Sequence, residues 1–158
     1  MVLYDGIDYR YSSDDPERAE GVEIISNILG FHPAEDGLHY SLNFYSGGTG
    51  IDNRLAIRCR LDTAMWRDVI SKLSLRPLSE ALADPGWSES FLWLVRGEDT
   101  EQDATDACFE FINSSKHGFQ DVADVNSEFL FTDESDVNTW CVVWVSNGWL
   151  NYIYFEQG

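Results

Sequence analysis

Residues 140 to 155 read WCVVWVSNGWLNYIYF, and this stretch predicts a β-hairpin. Asn147-Gly148 suits the two-residue type I′ turn at its tip, because both central residues of that turn need a positive φ. The flanking residues are mostly aromatic or β-branched, and these residue types favour strands. A two-residue loop places Ser146 opposite Trp149, which sets the register of the whole hairpin.

Both faces of this hairpin are rich in apolar side chains. Because side chains alternate along a strand, a half-exposed hairpin would be expected to show one polar face. Two interpretations follow: either the chain's own elements cover both faces, or one face is kept for a partner. The predicted cross-strand pairs are Trp144/Asn151, Val142/Ile153 and Trp140/Phe155 on one face, and Val145/Leu150, Val143/Tyr152 and Cys141/Tyr154 on the other.

The length and composition predict one globular domain spanning residues 1–158. The chain is long enough to bury a sizeable core, and 44% of its residues are hydrophobic. The apolar runs are too short to cross a bilayer. The first residues lack the basic and apolar regions of a signal peptide, so we expect a cytoplasmic location.

The net charge of −18 is the strongest global feature of the sequence. Nucleic acids and anionic membranes are bound through Lys and Arg, so we expect neither as a partner. Such a charge favours solubility and fast encounter with a basic protein. Salt adaptation or a GC-rich source would also produce an acidic, arginine-rich chain, and that explanation stays open.

The charge is distributed unevenly along the chain. Residues 54–76 contain six basic and two acidic residues, whereas residues 97–158 contain thirteen acidic residues and only Lys116 as a base. Arg54, Arg58 and Arg60 alternate with apolar residues and should share one face of a strand. They could hold an anion through bidentate hydrogen bonds, or pair with acids of the C-terminal half.

The periodicity of apolar residues predicts the element order β-α-β-β-α-β-α-β-β-β. Hairpins mixed with crossing helices indicate an α+β fold: a largely antiparallel sheet with about three helices on one face and hairpin 140–155 at its centre. The strands outside that hairpin are predicted at 2–11, 38–46, 54–61, 91–96 and 128–131. The helices are predicted to follow Asp15-Pro16, Asp62-Thr63 and Asp99-Thr100, with a short helical turn at 78–83.

No motif indicates catalysis, a cofactor or a metal. The glycine loop 47–50 precedes a strand and lacks the pattern of a phosphate-binding loop. The acidic stretch 133–138 lacks the glycine and glutamate positions of a calcium loop. The histidines and cysteines show no metal-ligand spacing, and buried free thiols are expected. The isolated residues in question are His32, His39, His117, Cys59, Cys108 and Cys141.

These features favour a small acidic binding protein, most consistent with an immunity or inhibitor protein that occludes a basic partner such as a bacterial toxin, for example a nuclease. Aromatic residues ringed by charges are typical of such interfaces. A DNA mimic would be a close variant. The predicted contact residues are the acids Asp99, Glu101, Asp103, Asp106, Asp133, Glu134 and Asp136, with the aromatic residues Trp149, Tyr152 and Tyr154.

The second hypothesis is an enzyme or a small-ligand-binding protein whose site is assembled from scattered residues. Trp66, Trp87 and Trp93 could line its pocket, and the arginine stripe could orient an acidic ligand. A deep pocket would favour this hypothesis, and a flat acidic face with exposed aromatic residues would favour the first.

Overall fold

The computed structural model of the protein describes residues 7–14, 18–46, 54–115, 118–123, 128–132 and 139–156. This part of the chain forms seven strands and five helices. The strands are β1 (Ile7–Ser12), β2 (His39–Ser46), β3 (Arg54–Arg60), β4 (Leu75–Pro77), β5 (Glu128–Thr132), β6 (Thr139–Ser146) and β7 (Trp149–Glu156). The helices are α1 (Arg18–Leu29), α2 (Thr63–Leu73), α3 (Leu78–Ala83), α4 (Pro85–Arg96) and α5 (Ala104–Ser115).

The strands form one antiparallel sheet in the order β1-β2-β3-β7-β6-β5-β4. The C-terminal hairpin therefore lies in the middle of the sheet, as predicted. Asn147 and Gly148 have φ values of 51° and 83°, which are the positive values that a type I′ turn requires. Ser146 lies opposite Trp149, and every predicted cross-strand pair is present.

The first face of the sheet packs against α1 and α2. The odd-numbered residues of β6 and the even-numbered residues of β7 point towards these helices, because side chains alternate along each strand. The core on this side contains Val22, Ile25, Leu29, Leu42, Ile57, Val69, Val143, Leu150 and Tyr152 among its buried residues.

The second face packs against α3, α4 and α5. Trp144 and Ile153 of the hairpin point to this side, and Trp144 is fully buried. The buried residues of this core are Leu78, Ala81, Phe91, Cys108, Ile112, Ala123, Val142, Trp144 and Ile153. Helices thus cover both apolar faces of the hairpin. The interpretation that the chain's own elements cover it is confirmed, and the expectation of helices on one face is wrong.

The segment 91–96 was predicted as a strand but belongs to helix α4. Pro85 is the first residue of this helix, a position where proline is favoured because its missing N–H would have no partner. Ser88 and Phe91 are buried, which is the i, i+3 spacing of a helix face. A short apolar run does not by itself distinguish a buried strand from a buried helix, and this explains the error.

A further difference is the short strand β4, where the sequence suggested only that Pro77 stops the preceding helix. It pairs with β5 at the edge of the sheet, where a proline is tolerated because one side of the strand needs no ladder hydrogen bond. Helix α5 begins later than predicted. Its first turn is capped by Asp103, whose Oδ1 accepts the N–H of Asp106 at 3.1 Å, whereas Asp99 caps the preceding turn.

Several other predictions are confirmed. β2 and β3 are antiparallel neighbours, the carboxylate of Asp62 caps α2, and α3 occupies the predicted helical turn. The first strand begins at Ile7. Three predicted features lie outside the described residues: the start of that strand at 2–6, the start of α1 at Asp15-Pro16 and the glycine loop 47–50. Each helix in the described ranges is too short or too polar to span a bilayer.

Candidate functional site

Four of the predicted contact acids lie together where α4 connects to α5. Asp99, Glu101 and Asp103 belong to the connecting segment, and Asp106 lies in the first turn of α5. All four side chains are exposed. The buried side of α5 carries Ala107, Cys108 and Ile112, so the helix keeps its acidic side outward, as the sequence predicts.

Hydrogen bonds hold this acidic connection in a defined shape. Arg96 at the end of α4 donates from Nε to the carbonyl of Gln102 at 2.9 Å. Gln102 in turn donates from Nε2 to Oε2 of Glu110 on α5 at 2.8 Å. The carboxylates of the connection are therefore presented on an ordered turn that is fixed to both helices.

Among the aromatic side chains whose exposure the structure describes, Trp93 is the most exposed, with 73% of its surface accessible. It lies on α4, on the side away from the buried Phe91. Glu89, one helical turn earlier, and Glu98, just after the helix, are both exposed. An exposed tryptophan is therefore bordered by acids along the chain. We call the exposed side chains of Trp93, Glu89, Glu98, Asp99, Glu101, Asp103 and Asp106 the acidic tryptophan surface.

The sequence did not assign Trp93 to this surface. It predicted 91–96 as a strand, so the helical periodicity that places Trp93 on the exposed side of α4 was not applied. It instead grouped Trp66, Trp87 and Trp93 as a pocket lining. The structure does not support that grouping. Trp66 packs against the core under α1 and α2, whereas Trp93 points to solvent from a helix on the opposite side of the sheet.

The tyrosines of the hairpin are not surface anchors next to the acids. Tyr152 is only 3% exposed and Tyr154 packs against the same core, on the face covered by α1 and α2. Helix α5 covers the opposite face. The prediction is corrected here because alternation along β7 directs these rings into the protein. Asp133, Glu134 and Asp136 lie outside the described residues.

Trp149 remains partly exposed at the tip of the hairpin, but its surroundings are basic. The guanidinium carbon of Arg58 lies 3.9 Å from the centroid of its ring, and that of Arg60 lies 4.6 Å away. These are cation–π distances. Trp149 and the acids of the α4–α5 connection are thus separate features, and it is the acids that lie close along the chain to the exposed Trp93.

The arginine stripe is partly explained by internal pairing, as predicted. Arg58 donates from Nε to Oδ2 of Asp121 at 3.1 Å and from Nη2 to Oδ1 at 3.4 Å. Asp121 belongs to the acidic C-terminal half. Arg60, two residues further along β3, is exposed and makes no ion pair with any carboxylate of the described residues.

The segment 118–123 is fixed across the second face of the sheet by polar contacts. Gln120 donates from Nε2 to the carbonyl of Tyr152 at 2.9 Å, and the amide of Asn113 on α5 exchanges two hydrogen bonds with the backbone of Ala123. His39 stacks on Phe119 with the ring centroids 5.8 Å apart. The segment is therefore a structural bridge between α5 and the sheet.

The three thiols offer little reactivity, because all three cysteines are buried. Burial raises the pKa of Cys59 and of Cys108 to about 12. His32 is exposed and shares a hydrogen bond with Ser26, and His117 lies outside the described residues. No group of three or more potential metal ligands occurs in the described ranges.

Comparisons with known proteins give no relative: no family model, no curated protein and no solved structure matches the chain. The assignment of function therefore rests on the geometry and chemistry of the surfaces described above.

Proposed function

We propose that this chain is a binding protein that uses the acidic tryptophan surface to dock a basic protein partner. The observation that carries the proposal is Trp93, which is 73% exposed among acidic residues on a chain with a net charge of −18. Tryptophan is among the residues most enriched at the energetic centres of protein interfaces. Charged residues around such a centre mainly increase the rate of association and select the partner.

The ordered backbone of the α4–α5 connection supports this proposal. The Arg96–Gln102–Glu110 hydrogen bonds fix the backbone that carries these carboxylates before a partner arrives. Pre-ordering lowers the entropy that binding would otherwise lose. Such a surface would suit an immunity or inhibitor protein, which occludes the functional site of a basic toxin such as a nuclease by presenting acids in the place of substrate phosphates.

The first experiment is capture of partners by the immobilised chain. Wild-type protein should retain a basic protein that elutes as salt is raised, and Trp93→Ala should lose it. Val122→Ala is the matched control, because Val122 is another exposed apolar side chain, on the bridging segment. Retention of the same proteins by Trp93→Ala, or retention of acidic proteins only, would contradict the proposal.

The captured partner then allows a test of the charge mechanism. Asp103→Asn combined with Asp106→Asn should slow association roughly 3- to 10-fold, and added salt should produce a similar loss in the wild type. The control combines Glu23→Gln with Asp68→Asn, two exposed acids on α1 and α2, the helices of the other face. Equal slowing by both pairs would mean that only the net charge matters. The inhibitor assignment further requires that the partner loses its own activity in the complex.

A further inference from the structure

A groove lies at the hairpin tip, away from the acidic tryptophan surface. Its walls come from residues 31–34 after α1, from the junction of β3 with α2, and from residues 147–149. Its volume is about 570 Å³. Sites for small molecules typically measure about 300–1,000 Å³. The N–H of Leu61 donates to the carbonyl of Gly148 at 2.9 Å, so the tip and the end of β3 are held together in the free protein.

The lining of this groove is mainly apolar. Phe31, Pro33, Met65 and Trp149 contribute to it. Met65 is 37% exposed and is one of three large hydrophobic side chains that are exposed in the described part of the chain. Apolar surface left accessible in a concave site is typical of ligand binding.

One cation in the groove has no partner of opposite charge among the residues that the structure describes. Arg60 lines it and pairs with no carboxylate of the described residues, whereas Arg58 beside it is neutralised by Asp121. The acid in the groove, Asp62, caps α2, because its Oδ1 accepts the N–H of Ala64, and it forms no ion pair with Arg60.

The ring of Trp149 restricts the orientation of the Arg60 guanidinium. The 4.6 Å contact places this group over the ring, where the cation–π attraction holds it. A guanidinium positioned in this way can present its planar set of donors to a carboxylate in a bidentate manner. The groove therefore combines an apolar wall with one oriented anion-binding group.

We infer that the groove binds a small carboxylic acid with an aromatic or branched aliphatic body. The body lies against Met65, Phe31 and Trp149, and the carboxylate pairs with Arg60. Arg60, which pairs with no carboxylate of the described ranges, matches one negative charge. A dianion such as a phosphate monoester is disfavoured, because Arg60 is the one arginine or lysine among the described residues that line the groove and it matches only one of the two charges. This site is independent of the protein-docking surface proposed above.

The test is an NMR titration of the ¹⁵N-labelled full chain with N-acetyl-phenylalanine, up to about 10 mM. Its neutral amide serves as the matched probe without a charge. The carboxylate should shift the Trp149 indole signal and the backbone amide signals of Phe31, His32, Ala34 and residues 60–65. The amide should bind at least about 10-fold more weakly, since it lacks the ion pair with Arg60.

Two variants complete the test. Arg60→Gln should weaken binding of the carboxylate about 10-fold, and Arg67→Gln, which removes an exposed arginine of α2 outside the groove, should leave it unchanged. Met65→Gln should weaken binding of the carboxylate independently, because it makes the apolar wall of the groove more polar. Equal binding of acid and amide, equal binding by Arg60→Gln, signal shifts outside the groove only, or no shifts at all would each overturn the inference.

Discussion

Asn151 and Asp121 form a two-way hydrogen-bonded pair across the second face of the sheet. The N–H of Asp121 donates to Oδ1 of Asn151 at 3.1 Å, and Nδ2 of Asn151 donates to Oδ2 of Asp121 at 3.2 Å. Asn151 is fully buried on the central strand β7, and Asp121 also pairs with Arg58. This pair explains why a polar residue occupies an otherwise apolar hairpin: it attaches the segment 118–123 to the sheet.

Replacing Asn151 with alanine should therefore lower the free energy of unfolding by about 2 kcal/mol. The change removes both hydrogen bonds and leaves polar groups of Asp121 without these partners. Urea denaturation followed by circular dichroism measures the effect. Asn27→Ala, at an exposed position of α1, is the control and should change the free energy by less than about 0.5 kcal/mol. A loss at Asn151 no larger than that of the control would show that the pair contributes nothing.

Gly37 and Gly97 provide a matched comparison of steric contact with the hairpin tip. Both have a positive φ, 74° and 58°, so alanine is strained at either position by about 1–2 kcal/mol. A Cβ added at Gly37 would also lie 2.5 Å from Cη2 of Trp149, whereas one added at Gly97 would meet nothing within 4 Å. Gly37→Ala should thus be the more destabilising variant, by roughly 1–3 kcal/mol in thermal or urea unfolding. Equal losses would mean that Trp149 moves aside without cost.

The hairpin could be predicted in full from local sequence, because Asn147-Gly148 determines the turn and the turn determines the register. That helices cover both faces of the hairpin was harder to predict from the sequence. It depends on α4, whose apolar residues 91–96 form a run that fits either a strand or a helix. The strand β4 has only three residues, and its partner Thr132 lies far along the chain, so no local pattern indicates it.

The candidate surfaces show the same division. The outward acids of α5 follow from helical periodicity, and the structure places them as expected. Trp93 would have been identified by reading 85–96 as a helix, since it lies away from Ser88 and Phe91. The sequence predicted that the arginines could pair with acids of the C-terminal half, but it did not indicate that Arg58 pairs with Asp121. The two residues are 63 positions apart, and many other acids were available to pair with.

The buried thiols predict a pH-dependent stability with a defined sign. Because burial raises the pKa of Cys59 and Cys108 to about 12, the folded chain keeps both protons at a pH where the unfolded chain loses them. The unfolded state then binds fewer protons, so stability should fall as the pH rises from about 9 towards 12, by up to about 1.4 kcal/mol per pH unit for each thiol. The slope measured by urea denaturation between about pH 9 and 10.5 should flatten in the double variant Cys59→Ala and Cys108→Ala. An unchanged slope would assign the effect to other groups.

The same burial predicts that a thiol reagent such as dithionitrobenzoate reacts slowly with the folded chain near pH 8, and with all three cysteines once the chain is unfolded in guanidinium. The absorbance of the released thiolate measures both reactions. Rapid reaction of one thiol in the folded protein would contradict the buried positions and would identify an accessible cysteine.

Asp103 allows the helix-capping role of an acid to be separated from its role in partner binding. Its Oδ1 accepts the N–H of Asp106, so Asp103→Ala should lower the free energy of unfolding by about 1 kcal/mol. Asparagine caps about as well as aspartate, so Asp103→Asn should keep most of that stability while it removes the charge. A small loss is still expected, because a negative charge is favoured at the positive end of the helix dipole. If the acidic tryptophan surface binds a basic partner, Asp103→Asn should slow association to about the same extent as Asp103→Ala. Slower association in the alanine variant alone would instead indicate that the acid only stabilises α5.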